Sequence, residues 1–133
     1  MIHFTVPGTP IAKPRQTRRD KWAKRPCVVR YREWADKARE CAGELPAAGD
    51  VMHVTVCAEF TPARSLSKAK RAALLGRAHR QSPDVDNIAK SVLDALWPDG
   101  DQAIPAVTCS KHWASEPGVT VWIEKTPKPG NET

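Results

Sequence analysis

The sequence predicts a single α+β domain in which helices pack on one mixed or antiparallel β-sheet. The chain has 133 residues, the size of one domain, and 41% hydrophobic residues, enough for a modest core. Its twelve prolines divide it into short segments, because proline interrupts helix interiors and central strands. These segments follow the order strand, helix, strand, helix, helix, strand, strand, which is typical of an α+β layer arrangement. The predicted domain covers residues 1–125, and residues 126–133 are predicted to form a flexible tail.

The first half of the chain predicts two strands and one helix. Ile2 to Val6 alternates apolar and polar residues and predicts the first strand. Residues 7–29 are rich in proline and arginine without periodicity, which indicates a long basic loop. Arg30 to Glu44 has aromatic and small residues at helical spacing and predicts a helix. Val51 to Phe60 predicts a strand. One face of that strand would be Met52, Val54, Val56, Ala58 and Phe60.

Two helices and a turn are predicted in the next part of the chain. Ser67 to Leu75 favours a short basic helix that ends at Gly76. A longer amphipathic helix is predicted by apolar residues with a period of 3.6. They are Val85, Ile88, Ala89, Val92, Leu93, Ala95 and Leu96. The segment Trp97 to Gly100 then predicts a turn.

The last two strands are predicted to form a hairpin. Ala106 to Trp113 and Val119 to Glu124 both have strand-like patterns, and Glu116 to Gly118 lies between them as a turn.

The sequence lacks the features of a membrane-spanning protein and of a secreted protein. Its apolar runs fall short of the ~20 residues that a membrane span needs, so no membrane contact is expected. The segment Met1 to Pro10 lacks the features of a signal peptide. The four cysteines form no C-x-x-C pair, so we expect reduced thiols, a cytoplasmic location and no zinc site.

The distribution of charge favours nucleic acid as a partner. The formal net charge is +6. Nine Lys or Arg and one acid occur from Met1 to Arg32, and six basic residues and no acid occur from Pro62 to Arg80. The sign reverses from Gln81 to Asp101, which has five aspartates and one lysine. Two basic blocks around an acidic one are typical of a surface that gathers phosphates beside an acidic site.

The acidic block has the residue types that metal-dependent cleavage of nucleic acid needs. Asp84 and Asp86 lie at the start of the amphipathic helix, and Asp86, Lys90 and Asp94 would share one helix face. Paired carboxylates suit Mg²⁺, and a nearby lysine can stabilise charge on a phosphate. The predicted helix is too long for Asp101 to meet Asp84 and Asp86 by local geometry. Asp101 would have to lie at the start of the next strand and return across the sheet toward the N-terminus of the helix.

Each of these residues also has a purely structural interpretation. On that interpretation Asp84 is only a helix N-cap. Asp86 and Lys90 could form a surface ion pair, and Asp99 to Asp101 could serve only as turn residues.

The acidic block resembles a known family. The string Pro83-Asp84-Val85-Asp86-Asn87-Ile88, with Lys90 and Asp94-Ala95-Leu96 after it, resembles the signature of RusA-like Holliday junction resolvases. These are small homodimeric endonucleases often carried by prophages. The resemblance continues with Asp101 and, ten residues later, Lys111 to Ala114. It includes Val6-Pro7-Gly8 and Lys13-Pro14-Arg15 near the N-terminus.

The resemblance implies roles for particular residues. Asp84, Asp86 and Asp101 would be the metal ligands, with Asp99 as the alternative third carboxylate. Lys90 would be the essential lysine and Lys111 a further basic residue near the site. The resemblance also implies a RusA-like fold, a homodimer, Mg²⁺ with Mn²⁺ as a possible substitute, and no small-molecule cofactor. The residues expected to contact DNA are Lys13, Arg15, Arg18, Arg19, Arg80 and Lys111.

Two hypotheses about function follow from the sequence. The first is a magnesium-dependent, structure-selective endonuclease that resolves four-way DNA junctions by paired phosphodiester hydrolysis in recombination and repair. The second is a non-catalytic, basic DNA- or RNA-binding protein whose aspartates serve as caps and ion pairs. A variant of the first has the same chemistry acting on other branched DNA.

Overall fold

The fold is a four-stranded mixed sheet with helices packed on it. The computed structural model describes residues 1–14 and 26–127. The strands are β1 (Ile2–Pro7), β2 (Val51–Phe60), β3 (Val107–Trp113) and β4 (Gly118–Lys125). The helices are α1 (Pro26–Ala42), α2 (Lys68–Leu74) and α3 (Val85–Leu96). Short 3₁₀ turns cover Ala48–Asp50 and Asp101–Ala103. The predicted α+β class and the order of the elements are confirmed.

The strand order in the sheet is β1-β4-β2-β3. β4 pairs antiparallel with both β1 and β2, whereas β2 and β3 are parallel. The predicted hairpin between the last two strands is therefore wrong, because β2 lies between them. Residues 114–117 carry the chain past the end of β2, where Ala114 N donates to Phe60 O at 2.8 Å. Four residues can bridge two strand spacings of about 4.8 Å each, so the short connection permits this crossing.

One face of the sheet forms the core together with α1 and α3. Alternate residues of the strands are buried there, for example Val56 of β2 and Val121 of β4. The predicted inner face of β2 is confirmed for its last four members, but Met52 is 41% exposed and Val51 is buried. The register of β2 against β4 shifts between Val51 and His53. Such an irregularity reverses which side chain faces the core, which explains the difference.

Helix α1 starts four residues before the predicted boundary, at Pro26, and ends at Ala42 rather than Glu44. Proline is well tolerated in the first helical turn because its missing N–H would have no partner there. Gly43 follows the helix with φ +67°, and its N–H donates to Arg39 O at 3.1 Å. This left-handed glycine ends the helix.

Helix α3 has the predicted extent and carries most of the predicted apolar stripe in the core, including Ile88 and Val92 at 1% and 2% exposure. Val85 is an exception at 41% exposure, because it lies in the first turn, at the open cleft beside Val107 of β3. Tyr31 of α1 donates from its hydroxyl to Ser91 O at 2.8 Å. This buried hydrogen bond fixes α3 against α1.

The chain remains hydrogen-bonded just beyond the end of β4. Thr126 N donates to Asp50 O at 2.8 Å, so the backbone stays attached one residue beyond β4. Residues 128–133 of the predicted tail lie outside the described residues.

Candidate active site

The middle of α3 holds a network of ion pairs on its outward face. Lys90 Nζ lies 3.1 Å from Asp94 Oδ1, one helical turn further on, and 2.7 Å from Asp101 Oδ2. The Lys90 side chain is 61% exposed, whereas those of Asp94 and Asp101 are 10% and 20% exposed. The lysine side chain therefore lies mostly in solvent, while its ammonium group contacts two carboxylates that are mostly buried.

Asp101 reaches Lys90 through the turn that follows α3. Gly100 N donates to Trp97 O at 3.2 Å, and Asp101 then begins the second 3₁₀ turn. Its predicted position at the start of the next strand is wrong, since β3 begins only at Val107. The chain turns back immediately after the helix, so Asp101 meets the middle of α3 instead of its N-terminal end.

The contact between Lys90 and Asp101 keeps both of these groups charged. The hydrogen bond from Lys90 is the main cause that lowers the pKa of Asp101 below its usual value. The hydrogen bonds to Asp101 and then Asp94 raise the pKa of Lys90. Lys90 is thus a cation, and Asp101 a carboxylate anion, at neutral pH.

Asp84 and Asp86 lie at the N-terminal end of the same helix, and both are exposed. Asp84 occupies the N-cap position, but its side chain makes no capping hydrogen bond. The partners of Lys90 are Asp94 and Asp101 instead of the expected Asp86. Asp84 is therefore the N-cap residue, as predicted, but without a side-chain hydrogen bond, and the interpretation of Asp86 as the partner of Lys90 is wrong.

Lys111 holds the loop that leads into Asp84. Its Nζ donates to Gln81 O and to Pro83 O, each at 2.7 Å. The backbone of the same loop pairs with β3, since His79 N donates to Lys111 O at 3.0 Å. Lys111 therefore lies near the acidic segment, as expected, but its ammonium group is bound to loop carbonyls.

His79 anchors this loop from the core side, and sequence reasoning missed it. Its ring stacks on Phe60 with a centroid distance of 4.0 Å and lies 4.4 Å from the Trp113 ring. Burial lowers its pKa, so the ring is neutral at neutral pH. No sequence motif marks His79, because its partners come from two different strands.

The remaining residues expected to contact DNA are only partly described. Arg80 is exposed on the loop before Asp84. Lys13 is bound to Asp94, with 3.0 Å between Nζ and Oδ2. Arg15, Arg18 and Arg19 lie outside the described residues.

The comparison with protein families decides what kind of protein carries this site. The sequence profile of the family described as endodeoxyribonuclease RusA matches residues 7–124. The chain belongs to the RusA endodeoxyribonuclease family. The match extends from the end of β1 to β4 and includes every residue of the network around Lys90. A comparison with curated proteins finds no match.

Membership of the RusA family confirms the predicted resemblance and gives the general activity. The family consists of endodeoxyribonucleases and is associated with branched DNA junctions. Within residues 1–14 and 26–127, no helix is both long enough and apolar enough to cross a membrane.

The fit of these residues to a divalent metal is incomplete. Asp84 and Asp86 offer the hard carboxylate oxygens that Mg²⁺ prefers, and both are exposed. Among the described residues, however, no group of three or more acidic, histidine or cysteine side chains is close enough to hold an ion. The expected third ligand, Asp101, is bound to Lys90 instead. The donor types fit Mg²⁺, but the three carboxylates are not assembled around a common point.

Proposed function

We propose that this RusA-family protein is a divalent-metal-dependent endonuclease that resolves four-way DNA junctions by paired phosphodiester hydrolysis. The biological setting would be DNA recombination and repair. The observation that carries the proposal is the outward face of α3, where the Asp84 and Asp86 carboxylates are exposed one turn before a lysine. Because the Asp84 side chain makes no capping hydrogen bond, a role in the helix itself does not account for it.

In this proposal Asp84 and Asp86 hold Mg²⁺, or Mn²⁺ in its place, and Asp101 completes the site. A bound ion of this kind supplies Lewis acidity and activates water for attack on phosphorus. Lys90 offers a positive charge to the phosphoryl oxygens as negative charge develops on them. Lys111 keeps the Gln81–Pro83 carbonyls in place and thereby orients the approach to Asp84.

The basic surface would bind the DNA backbone. The net charge of +6 is concentrated in the segment around residues 13–25 and in Arg64 to Arg80. Phosphate contacts from such segments give affinity without reading sequence, which suits a nuclease that selects a DNA shape.

A homodimer is part of the proposal. A four-way junction has approximate two-fold symmetry, so two symmetric cuts need two copies of the site. One chain supplies a single acidic block, at residues 81–101. Sedimentation with and without junction DNA tests this, and a monomer at all concentrations would exclude the paired-cut mechanism.

The decisive experiment compares three labelled substrates: a synthetic four-way junction, a flap and a linear duplex of the same sequence. We expect cleavage of the junction with Mg²⁺ or Mn²⁺ and none in EDTA. Asp36→Asn is a matched control for Asp84→Asn, because both replace an exposed aspartate with an amide and Asp36 lies outside the acidic block. Binding without cleavage under every metal condition would favour a non-catalytic DNA-binding protein. Preferred cutting of the flap would assign the same chemistry to other branched DNA.

A further inference from the structure

Asp94 contacts two lysines from distant parts of the chain. Its Oδ1 lies 3.1 Å from Lys90 Nζ, and its Oδ2 lies 3.0 Å from Lys13 Nζ. The side chain is only 10% exposed, whereas the two lysine side chains are 61% and 37% exposed. A sheltered carboxylate between two more exposed cations is the fixed member of the group.

The surroundings of Asp94 hold the carboxylate in place. It lies at a cleft of about 370 Å³ between α1 and α3, beside Tyr31. The buried hydrogen bond from Tyr31 to Ser91 O ties the two helices together one turn before Asp94. Burial raises the pKa of Tyr31, and the negative charge of Asp94 raises it further. The carboxylate thus has a rigid setting that Lys90 lacks.

The four charges form a chain in the order Lys13, Asp94, Lys90, Asp101. Lys90 has two acceptors in this chain, and only one of them, Asp101, is an expected metal ligand. A divalent cation and an ammonium group repel each other, so Asp101 cannot serve both at full strength.

We propose that Asp94 is a positioning residue for Lys90. If Asp101 left Lys90 to join Asp84 and Asp86 in holding a divalent ion, Asp94 would still keep the Lys90 ammonium at the outward face of α3, one turn from Asp86. Without Asp94 the long lysine side chain would have to be ordered again for each reaction, which costs side-chain entropy. Because Asp94 also binds Lys13, it connects the start of the N-terminal basic segment to the same helix.

This inference rests on the proposed function, and a kinetic cycle tests it. The single variants are Asp94→Asn and Lys90→Ala, and the double variant combines them. We expect Asp94→Asn to lower the cleavage rate at saturating metal and DNA about tenfold, as for a misplaced catalytic group. It should add less than about twofold in the Lys90→Ala background, because coupled residues are not additive. Multiplicative losses in the double variant would overturn the proposal.

Two further variants separate positioning from general stability. Asp94→Glu keeps the carboxylate and should recover most of the rate. Asp36→Asn is the matched control, since Asp36 lines the same cleft and pairs with Arg39 rather than with a lysine of the network. It should cut at the wild-type rate. Loss of activity that follows the midpoint of thermal unfolding across all variants would assign Asp94 to the fold alone.

A binding measurement gives a readout that does not depend on cleavage. Titration with Mn²⁺ alone should show about threefold or more weaker binding in Asp94→Asn, because Lys90 is then held by Asp101 only. Lys90→Ala should bind Mn²⁺ more tightly than the wild type. Unchanged Mn²⁺ affinity in both variants would overturn the proposal even if the wild type cuts. A wild-type protein that binds Mn²⁺ as expected but cuts no branched DNA would instead contradict the proposed function.

Discussion

The two halves of α3 differ in how their charged side chains are used. At the N-terminal end, Asp84 and Asp86 are exposed, and Asp84 makes no side-chain cap. In the middle and C-terminal half, Lys90 and Asp94 are held in a chain of ion pairs that reaches Asp101. The side chains of Asp84 and Asp86 therefore contribute little to the fold and are available to bind a ligand. The charged side chains of the second half are already positioned by ion pairs within the protein.

The largest effect is expected at the exposed end. Asp84→Asn or Asp86→Asn should lower cleavage by about a hundredfold or more, because each nearly isosteric change removes an anionic ligand. Junction binding and the midpoint of thermal unfolding should stay close to those of the wild type. Near wild-type rates in both variants would mean that the exposed half of α3 is not the metal site.

Asp101 follows α3 and pairs with Lys90, but it is expected to act together with Asp84 and Asp86. Asp101→Asn should abolish most cleavage, whereas Asp99→Asn should not, because Asp99 is exposed and Asp101 is bonded to Lys90. Cleavage assays of the two variants side by side decide between them. The reverse result would make Asp99 the third ligand.

Lys90→Ala should lower the cleavage rate by about tenfold to a hundredfold through loss of a positive charge at the phosphate. Its effect on the free energy of unfolding should stay within ~1 kcal/mol, because exposed ion pairs contribute little. Partial recovery in Lys90→Arg would show that charge is the main requirement. Full activity of Lys90→Ala would reduce the network to a surface feature.

Lys111→Met tests whether cleavage needs the loop before Asp84 to be held in place. It removes two hydrogen bonds to loop carbonyls, so cleavage should fall about tenfold through misplacement of the Asp84 approach. The salt dependence of DNA binding should not change, because the Lys111 ammonium is bound to the protein. A slope reduced by about 1 would show that Lys111 neutralises a phosphate.

The smallest effect on catalysis is expected outside α3. Changing Arg15, Arg18 and Arg19 together to alanine should weaken junction binding and flatten its salt dependence by about 3, with the catalytic rate at saturation nearly unchanged. An equal set of changes at Arg64, Lys68 and Arg71 is the control. An unaffected slope in the first set and a flatter one in the second would move the DNA to the second basic block.

The sequence predicted what depends on local pattern. The extent of α3 followed from its apolar period, and Gly76 ended α2 as expected, with φ +82°. The position of Met52 could not be predicted, because the register shift that exposes it arises from pairing with β4. The hairpin between β3 and β4 failed for the same reason, since nothing local indicates that β2 pairs with both strands.

The same limit applies to the site. The spacing of Asp86, Lys90 and Asp94 showed a shared helix face, but it could not show which carboxylate Lys90 would choose. That choice depends on the turn after α3, which brings Asp101 within 2.7 Å of Lys90. The spacing also placed Asp94 on the face of Lys90, but its second partner, Lys13, depends on tertiary packing and could not be predicted.

The parallel pairing of β2 and β3 has a consequence for how this protein becomes active. α3 lies within the connection between these two strands, and Lys111, which holds the loop before Asp84, belongs to β3. The supporting contacts of the site are therefore complete only when residues 53 positions apart, such as Val54 and Val107, have paired. Contacts between such distant residues form late, because the entropy of closing the loop must be overcome first. Cleavage activity should therefore return during refolding together with the complete sheet, and after helical circular dichroism has begun to recover. The topology makes the ability to cut DNA a property of the finished fold.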